Sequence, residues 1–232
     1  MKWKSNITNQ VRWSGDISNK EKKQVVAQKI AAQVKNGDII GIGSGSTSFL
    51  ALQAIGERVQ KENLSITAIT TSYEMLITCS ALNIPTTTLL HDRPDWSFDG
   101  ADEVDPNNNL IKGRGGAMFI EKIMIVSAPK TFILVDDTKL VEKLGTKFPV
   151  PIEIYPMAIN VVEERLMKIG AKEIVLRLAK SKDGPVITEG GNFILDVRFE
   201  NIGDQTEVDI KKIPGVIESG LFIGYSVEVI ST

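Results

Sequence analysis

A chain of 232 residues, 42% hydrophobic and 24% charged, is long enough for one sizeable core or one and a half domains, and its composition excludes a disordered polymer. A formal net charge of −2 leaves no basic footprint for a phosphate backbone, so no nucleic-acid partner is expected. The lone cysteine, Cys79, rules out an intrachain disulfide, and no run of about 20 apolar residues offers a membrane span, so a cytoplasmic protein with no membrane partner is expected.

The first nineteen residues read as a polar extension. A helix is predicted over 18–34, where Val25, Val26, Ile30, Ala31 and Val34 recur at helical spacing until Asn36-Gly37 stops it. A buried strand over 38–42 runs into the turn Gly43-Ser-Gly-Ser-Thr47, and a helix over 48–60 follows. The alternation continues with a strand over 65–70, a helix over 73–81, strands over 86–90 and 96–98, a helix over 116–127 and a strand over 131–135. Strands alternating with helices predict an α/β domain with a doubly wound, mostly parallel sheet, whose ligand sits beyond the carboxyl ends of the strands. After Phe148-Pro-Val-Pro151 the order becomes strand 152–155, helix 158–169, strand 173–178, strand 193–199, helix 206–213 and strand 216–222. That β-α-β-β-α-β succession predicts a second, smaller α+β domain of ferredoxin-like type. The segment 226–230 is too short to stand alone and is expected to return to the first sheet. The predicted division is therefore 1–145 plus 224–232 for the larger domain and 146–223 for the smaller.

Three motifs fall at the carboxyl ends of the first domain's strands. The turn around Ser44, Gly45, Ser46 and Thr47 leads into a helix, so its N–H groups and hydroxyls can face a phosphate. It is no dinucleotide fingerprint, because Ser46 stands where G-x-G-x-x-G requires glycine, and the Walker lysine is missing. The run Asp99-Gly-Ala-Asp-Glu103 places three carboxylates in five residues, and Asp99 and Asp102 can share a crevice suited to proton transfer. A solvated loop, or a magnesium or manganese site, would use the same residues. Charge-based acid–base chemistry without a metal is the favoured reading, because Lys112-Gly-Arg-Gly-Gly116 supplies a cation and an unhindered backbone for a developing oxyanion. Glu121, among Phe119, Ile120, Ile123 and Met124, is set as a general base, although a plain charge pair with Lys122 on a wet helix face fits the spacing equally well. Lys139 closes Asp136-Asp-Thr-Lys139, from which it can reach an anionic substrate.

Together with Phe148-Pro-Val-Pro-Ile-Glu153, Gly191-Asn-Phe-Ile-Leu-Asp196 and Ile213-Pro-Gly-Val-Ile-Glu-Ser-Gly-Leu-Phe222, these motifs closely resemble the type A ribose-5-phosphate isomerases, from about Lys20 onward. The resemblance implies interconversion of ribose 5-phosphate and ribulose 5-phosphate in the non-oxidative pentose phosphate pathway, with no cofactor and no metal. It assigns Glu121 as catalytic base, Asp99 and Asp102 as acids for ring opening and proton movement between oxygens, and Lys112 as the stabiliser of the enediolate. Substrate binding falls to Ser44, Gly45, Ser46, Thr47, Gly100, Ala101, Gly113, Arg114, Gly115 and Lys139, with Lys23 as a further phosphate-binding lysine. A homodimer or homotetramer is implied as well. Arg114 stands where many relatives have glycine, Ile120 where arginine is common and Ser44 where threonine is frequent. A sugar-phosphate sensor and a nucleotide-dependent oxidoreductase are the rival readings. The first lacks room for a DNA-reading unit, and Ser46 opposes the second.

Overall fold

A computed structural model describes Ile7, Trp13 and residues 16–232, so the polar extension expected over 1–19 lies largely outside the described residues. In chain order the elements are α1 (Lys20–Ala31), β1 (Ile39–Ile42), α2 (Ser46–Glu62), β2 (Thr67–Thr70), α3 (Tyr73–Ala81) and β3 (Trp96–Gly100). Next come β4 (Glu103–Val104), β5 (Leu110–Ile111), α4 (Met118–Ser127), β6 (Thr131–Leu134) and β7 (Val150–Ile154). The remainder is α5 (Ile159–Lys168), β8 (Ala171–Leu176), β9 (Phe193–Phe199), α6 (Thr206–Lys211), β10 (Val216–Ser219), β11 (Leu221–Phe222) and β12 (Glu228–Ile230). No helix among the described residues is long and apolar enough to cross a membrane.

Two compact units emerge. The first takes the chain up to Gly100 together with Ile123–Asp137 and Ser226–Thr232; the second takes Ala101–Lys122 and Thr138–Tyr225. The boundary predicted at 145/146 thus falls inside the second unit. The segments 101–122 and 138–145 are drawn there by backbone pairing of β4 with β5, of β5 with β11 and of Val141 with Val104.

The first unit is a five-stranded, fully parallel sheet in the order β12-β6-β3-β1-β2. As the sequence predicts, 226–232 supplies an edge strand, β12, against β6. Apart from the partly exposed edge strand β12, the strands are short and largely buried, as a parallel sheet under helices requires. Ile40, Ile42, Phe98, Phe132 and Leu134 join Val26 and Ile30 of α1, Leu52 and Ile55 of α2, and Met75 and Cys79 of α3 in one core. Burial pushes the Cys79 thiol up to about 12, in keeping with a packing role. Because β2 and β3 lie on opposite sides of β1, the chain reverses its direction of travel across the sheet at β1/β3, where doubly wound folds bind ligands.

The strand expected over 86–90 is not formed beyond a single bridge from Thr86 to Ala68. Here hydroxyls and carbonyls satisfy the backbone locally. The Thr88 carbonyl accepts the N–H groups of His91 and Asp92, and the Thr87 hydroxyl donates to Asp92, so the chain turns.

The second unit carries the antiparallel sheet β10-β7-β9-β8, the ferredoxin-like order predicted from the strand and helix succession. Val162 and Leu166 of α5 and Ile210 of α6 cover Val150, Ile152, Ile154, Leu195 and Val197. A small sheet, β11-β5-β4, accompanies it. The strand predicted over 216–222 is split at Gly220, where a side chain would stand 2.2 Å from the Lys112 carbonyl. That approach lets the Gly220 carbonyl accept the Lys112 N–H at 2.9 Å and fixes the backbone of the lysine.

Candidate active site

In the first unit, β1 delivers the chain into Gly43-Ser-Gly-Ser-Thr47 beside the end of β3. Gly43 donates its N–H to the Phe98 carbonyl at 2.8 Å, and a Cβ on Gly43 would lie 2.0 Å from the carboxyl carbon of Asp99. Only glycine admits that contact, so the turn and Asp99 are built as one piece. Asp99 is buried, and its Oδ1 accepts the N–H of Gly100, which ends β3. Helix α2 starts at Ser46, two residues before the expected start, with no side-chain cap. Ser44, Gly45 and Ser46 are half-buried and Thr47 is buried, at the N-terminus of α2, the end of a helix that favours an anion. Of the pair Lys22-Lys23, it is Lys23 that turns inward; buried, it donates to the Ser46 hydroxyl at 3.0 Å, whereas Lys22 pairs with exposed Asp137. Asp136, buried just beyond β6, accepts a bond from Asn19 at 3.2 Å, which ties the start of α1 to the same strand ends.

The second unit holds the other predicted residues. Ala101 leads into Asp102 and the hairpin of β4 and β5, and Lys112 follows directly on β5. Lys112 and Glu121 are only 2% and 3% exposed, and Lys112 Nζ lies 3.4 Å from Glu121 Oε2. The alternative of a surface charge pair between Glu121 and Lys122 is overturned, since both are buried and each has its own partner. Lys122 bonds Glu207 Oε1 at 2.5 Å, Glu218 Oε1 at 3.0 Å and the Leu221 carbonyl at 2.7 Å. Ile120, by contrast, is 36% exposed and points away from this buried face of α4.

Asp102 takes the Arg114 N–H at 3.3 Å. Burial raises its carboxyl above the ordinary aspartate value, opposed by the charges of Lys112 and Lys139 and by the Arg114 N–H, and reinforced by Glu121. Lys112, Lys139 and Glu121 therefore all act electrostatically on Asp102. Lys139 closes a 3-10 turn, Asp137–Lys139, with Nζ 4.9 Å from the Phe148 ring centroid; the Arg114 guanidinium lies 5.5 Å from the same centroid. Arg114 and Gly115, both exposed, border a cavity of about 450 Å³ shared with Asp102 and Phe148, while Gly113 is buried.

Comparison with known proteins decides the family. The family described as ribose 5-phosphate isomerase A (phosphoriboisomerase A) matches residues 67–232. The ribose-5-phosphate isomerase A of Thermosynechococcus vestitus is 45% identical over 212 residues, spanning 90% of this chain and 89% of the relative. The chain belongs to the ribose-5-phosphate isomerase A family. The Methanothermobacter thermautotrophicus isomerase A is 40% identical over 90% of this chain and 92% of its own length. The solved ribose 5-phosphate isomerase A of Methanocaldococcus jannaschii superimposes with a TM-score of 0.88 at 44% identity, covering 92% of this chain and 95% of that one. A D-ribose-5-phosphate isomerase solved in complex with phospho-erythronic acid matches with a TM-score of 0.88 at 40% identity, over 93% of this chain and 96% of that one. Proteins of the ribose-5-phosphate isomerase A family are aldose–ketose isomerases, and the fold and enzyme class read from the motifs stand on these relatives.

Several supporting residues of this isomerase A chain escape sequence reasoning. Glu103, read as one of three crowded carboxylates, has a folding role instead. Fully buried, it accepts the N–H groups of Gly145, Lys147 and Phe148 at 2.6 to 2.7 Å and so anchors the segment that carries Phe148. Phe148, Arg177 and Asp196 border the cavity beside Asp102. Phe148 and Asp196 sit in motifs that carry the resemblance, but neither residue type announces its role. Arg177 lies far off in the chain and leaves no local signal.

Proposed function

We propose that this protein interconverts D-ribose 5-phosphate and D-ribulose 5-phosphate in the non-oxidative pentose phosphate pathway, by proton transfer through an enediolate. The observation that carries the reading is the buried Lys112–Glu121 pair, 3.4 Å apart, with Asp102 under the influence of both. Glu121 takes the proton from C2 of the open-chain aldose and returns it to C1. The negative charge that appears on oxygen meets the Lys112 ammonium and the N–H groups of the Gly113, Arg114 and Gly115 backbone. Asp102 enters as the carboxylate, accepts the proton from O2 and passes it to O1, its raised carboxyl holding that proton more readily than an ordinary aspartate would, and Asp99 assists ring opening. The C2–H and O2–H bonds break and the C1–H and O1–H bonds form, so no electron acceptor is required. The hydroxyls of Ser44, Ser46 and Thr47, the N–H groups at Gly45 and the ammoniums of Lys23 and Lys139 take the phosphate end, while Gly100 and Ala101 border the sugar.

Turnover of ribose 5-phosphate by the purified protein in the presence of a metal chelator tests the reaction and its metal independence together. Loss of turnover on chelation would turn the acidic run into a metal site, and inactivity in every buffer would sink the isomerase reading. Glu121→Gln keeps the shape and removes the base, so kcat is expected to fall by about 10²–10⁴-fold with KM within about threefold. Near-parental turnover in this variant would remove Glu121 from the chemistry.

A further inference from the structure

Arg177 follows β8 and Asp196 lies in β9, in the paired strands of the antiparallel sheet. The guanidinium is gripped by a fork, with Nε donating to Asp196 Oδ2 at 2.8 Å and Nη2 donating to Oδ1. With two nitrogens of one edge fixed this way, Nη1 is aimed at the glycine loop, where it donates to the Arg114 carbonyl at 2.7 Å and to the Gly113 carbonyl at 3.4 Å. In a planar trans peptide the C=O and the following N–H point in opposite directions. The 113–114 peptide displays both ends of this rule, with its oxygen on Arg177 and its N–H on Asp102 Oδ2 at 3.3 Å. The 114–115 peptide is held more closely by its oxygen, so the Gly115 N–H is likewise directed away from Arg177. Asp102, Arg114, Gly115, Arg177 and Asp196 all border the one cavity of about 450 Å³.

We propose that Arg177, clamped by Asp196, is a positioning residue of the isomerase reaction, turning two consecutive peptides so that the N–H groups of Arg114 and Gly115 face the Asp102 side. The inference rests on the proposed enediolate mechanism. Donors fixed before the charge develops need no reorganisation when it appears, which is where oxyanion-stabilising peptides gain their effect. An ordinary hairpin ion pair would need only Asp196. Here the third guanidinium nitrogen is committed to the loop carbonyls.

The test compares Arg177→Met, Arg177→Lys and Asp196→Asn with the parent enzyme on ribose 5-phosphate, with folding followed by circular dichroism. Arg177→Met is expected to lower kcat by about tenfold or more, with KM within about threefold, and Asp196→Asn to lower it less. A second readout separates positioning from mere structure. The carboxyl of Asp102 is faced by Lys112 beyond β5, Lys139 of the 3-10 turn, Glu121 of α4 and the Arg114 N–H. Releasing that N–H raises the carboxyl further, so the acidic limb of kcat/KM moves to higher pH. A folded Arg177→Met enzyme with kcat within twofold of the parent and an unmoved limb would overturn the proposal, as would a rise in KM at unchanged kcat. Should Arg177→Met not fold, Arg177→Lys, which keeps the charge but loses the fork, is held to the same two readouts. A parent that lacks turnover overturns the proposed function and this inference with it, whereas an active parent with indifferent variants overturns this inference alone.

Discussion

Asp102, to which the proposed mechanism gives a proton-transfer role, sits where burial sets its charge against stability. Burial favours its neutral form, so the folded protein holds this proton more tightly than the unfolded chain does. The sign follows. Between the ordinary value of 3.8 and the raised folded value, the native state binds more protons, and its stability falls as pH rises through that window. At neutral pH the charged carboxylate is a small net cost, because the residue is half-buried and partly solvated. Asp102→Asn, which keeps an acceptor for the Arg114 N–H, is expected to unfold about 1–3 °C higher than the parent at pH 7 while losing activity. The difference should close toward pH 4, and a gap independent of pH would detach it from the carboxyl. At this scale the sequence was legible where chemistry dictates residue type. A carboxylate run, a lysine before glycines and a lone glutamate on an apolar helix all point to the candidate site, and the structure brings Lys112 and Glu121 together there with Asp102 under their influence. It was illegible where the same residue type serves two ends. Glu103 sits in the acidic run beside Asp102, and only its three N–H donors identify it as an anchor.

Among the elements, α4 has its first turn fixed from both faces. Glu121 meets Lys112, while Lys122 is enclosed by Glu207, Glu218, the Leu221 carbonyl and the Phe222 ring, whose centroid is 4.7 Å from Nζ. Lys112 stands 5.7 Å from that same ring centroid, so one aromatic ring serves both ammoniums. Burial pushes the Glu218 carboxyl up, but the Lys122 charge, the Ser219 N–H and the Lys211 and Lys122 hydrogen bonds outweigh it and hold the group below the ordinary value of 4.5. A lowered carboxyl contributes stability that is present above the unfolded value and lost as pH falls through the folded one. Lys122→Met leaves two buried acids facing each other and is expected to cost about 3–5 kcal/mol at pH 7, lowering the melting point by roughly 10 °C. The penalty should shrink below about pH 4.5 as Glu218 protonates, and equal destabilisation at pH 7 and pH 4 would place the lysine's contribution in packing. Elements were legible in proportion to their length. Helices with several turns and the buried parallel strands appear where hydrophobic periodicity puts them, because each has enough residues to display a period. The two-residue strands β4, β5 and β11 have none to display. They exist because Asp105 folds the chain back, its carboxylate accepting the N–H groups of Asn107 and Asn109, and because Gly220 lets Lys112 approach.

Over the whole molecule, neither compact unit is a continuous stretch of chain. The first is assembled from three segments and the second from two, so the chain passes from one to the other after Gly100, Lys122, Asp137 and Tyr225. The sequence makes the doubly wound and ferredoxin-like patterns visible because each keeps its own succession of elements. It hides the allegiance of 101–122 and 138–145, because sheet pairing between distant residues carries no local signature. One consequence concerns the short segment 226–232, which returns to lay β12 against β6 in parallel, with Glu228 beside Phe132, Val229 beside Ile133 and Ile230 beside Leu134. The Val135 N–H donates to the Ile230 carbonyl at 3.1 Å, immediately before Asp136 and the turn that carries Lys139. Removing 226–232 would strip the ladder partners from β6 and leave an apolar strand as an open edge, a template for intermolecular pairing. A chain ending at Tyr225 is therefore expected to aggregate or to melt at least about 5 °C below the parent. Turnover should fall along with it, because β6 also pairs with β3, the strand that carries Asp99 of the proposed mechanism. A soluble 1–225 protein with parental melting point and kcat would show instead that β6 holds its place through β3 and the core alone.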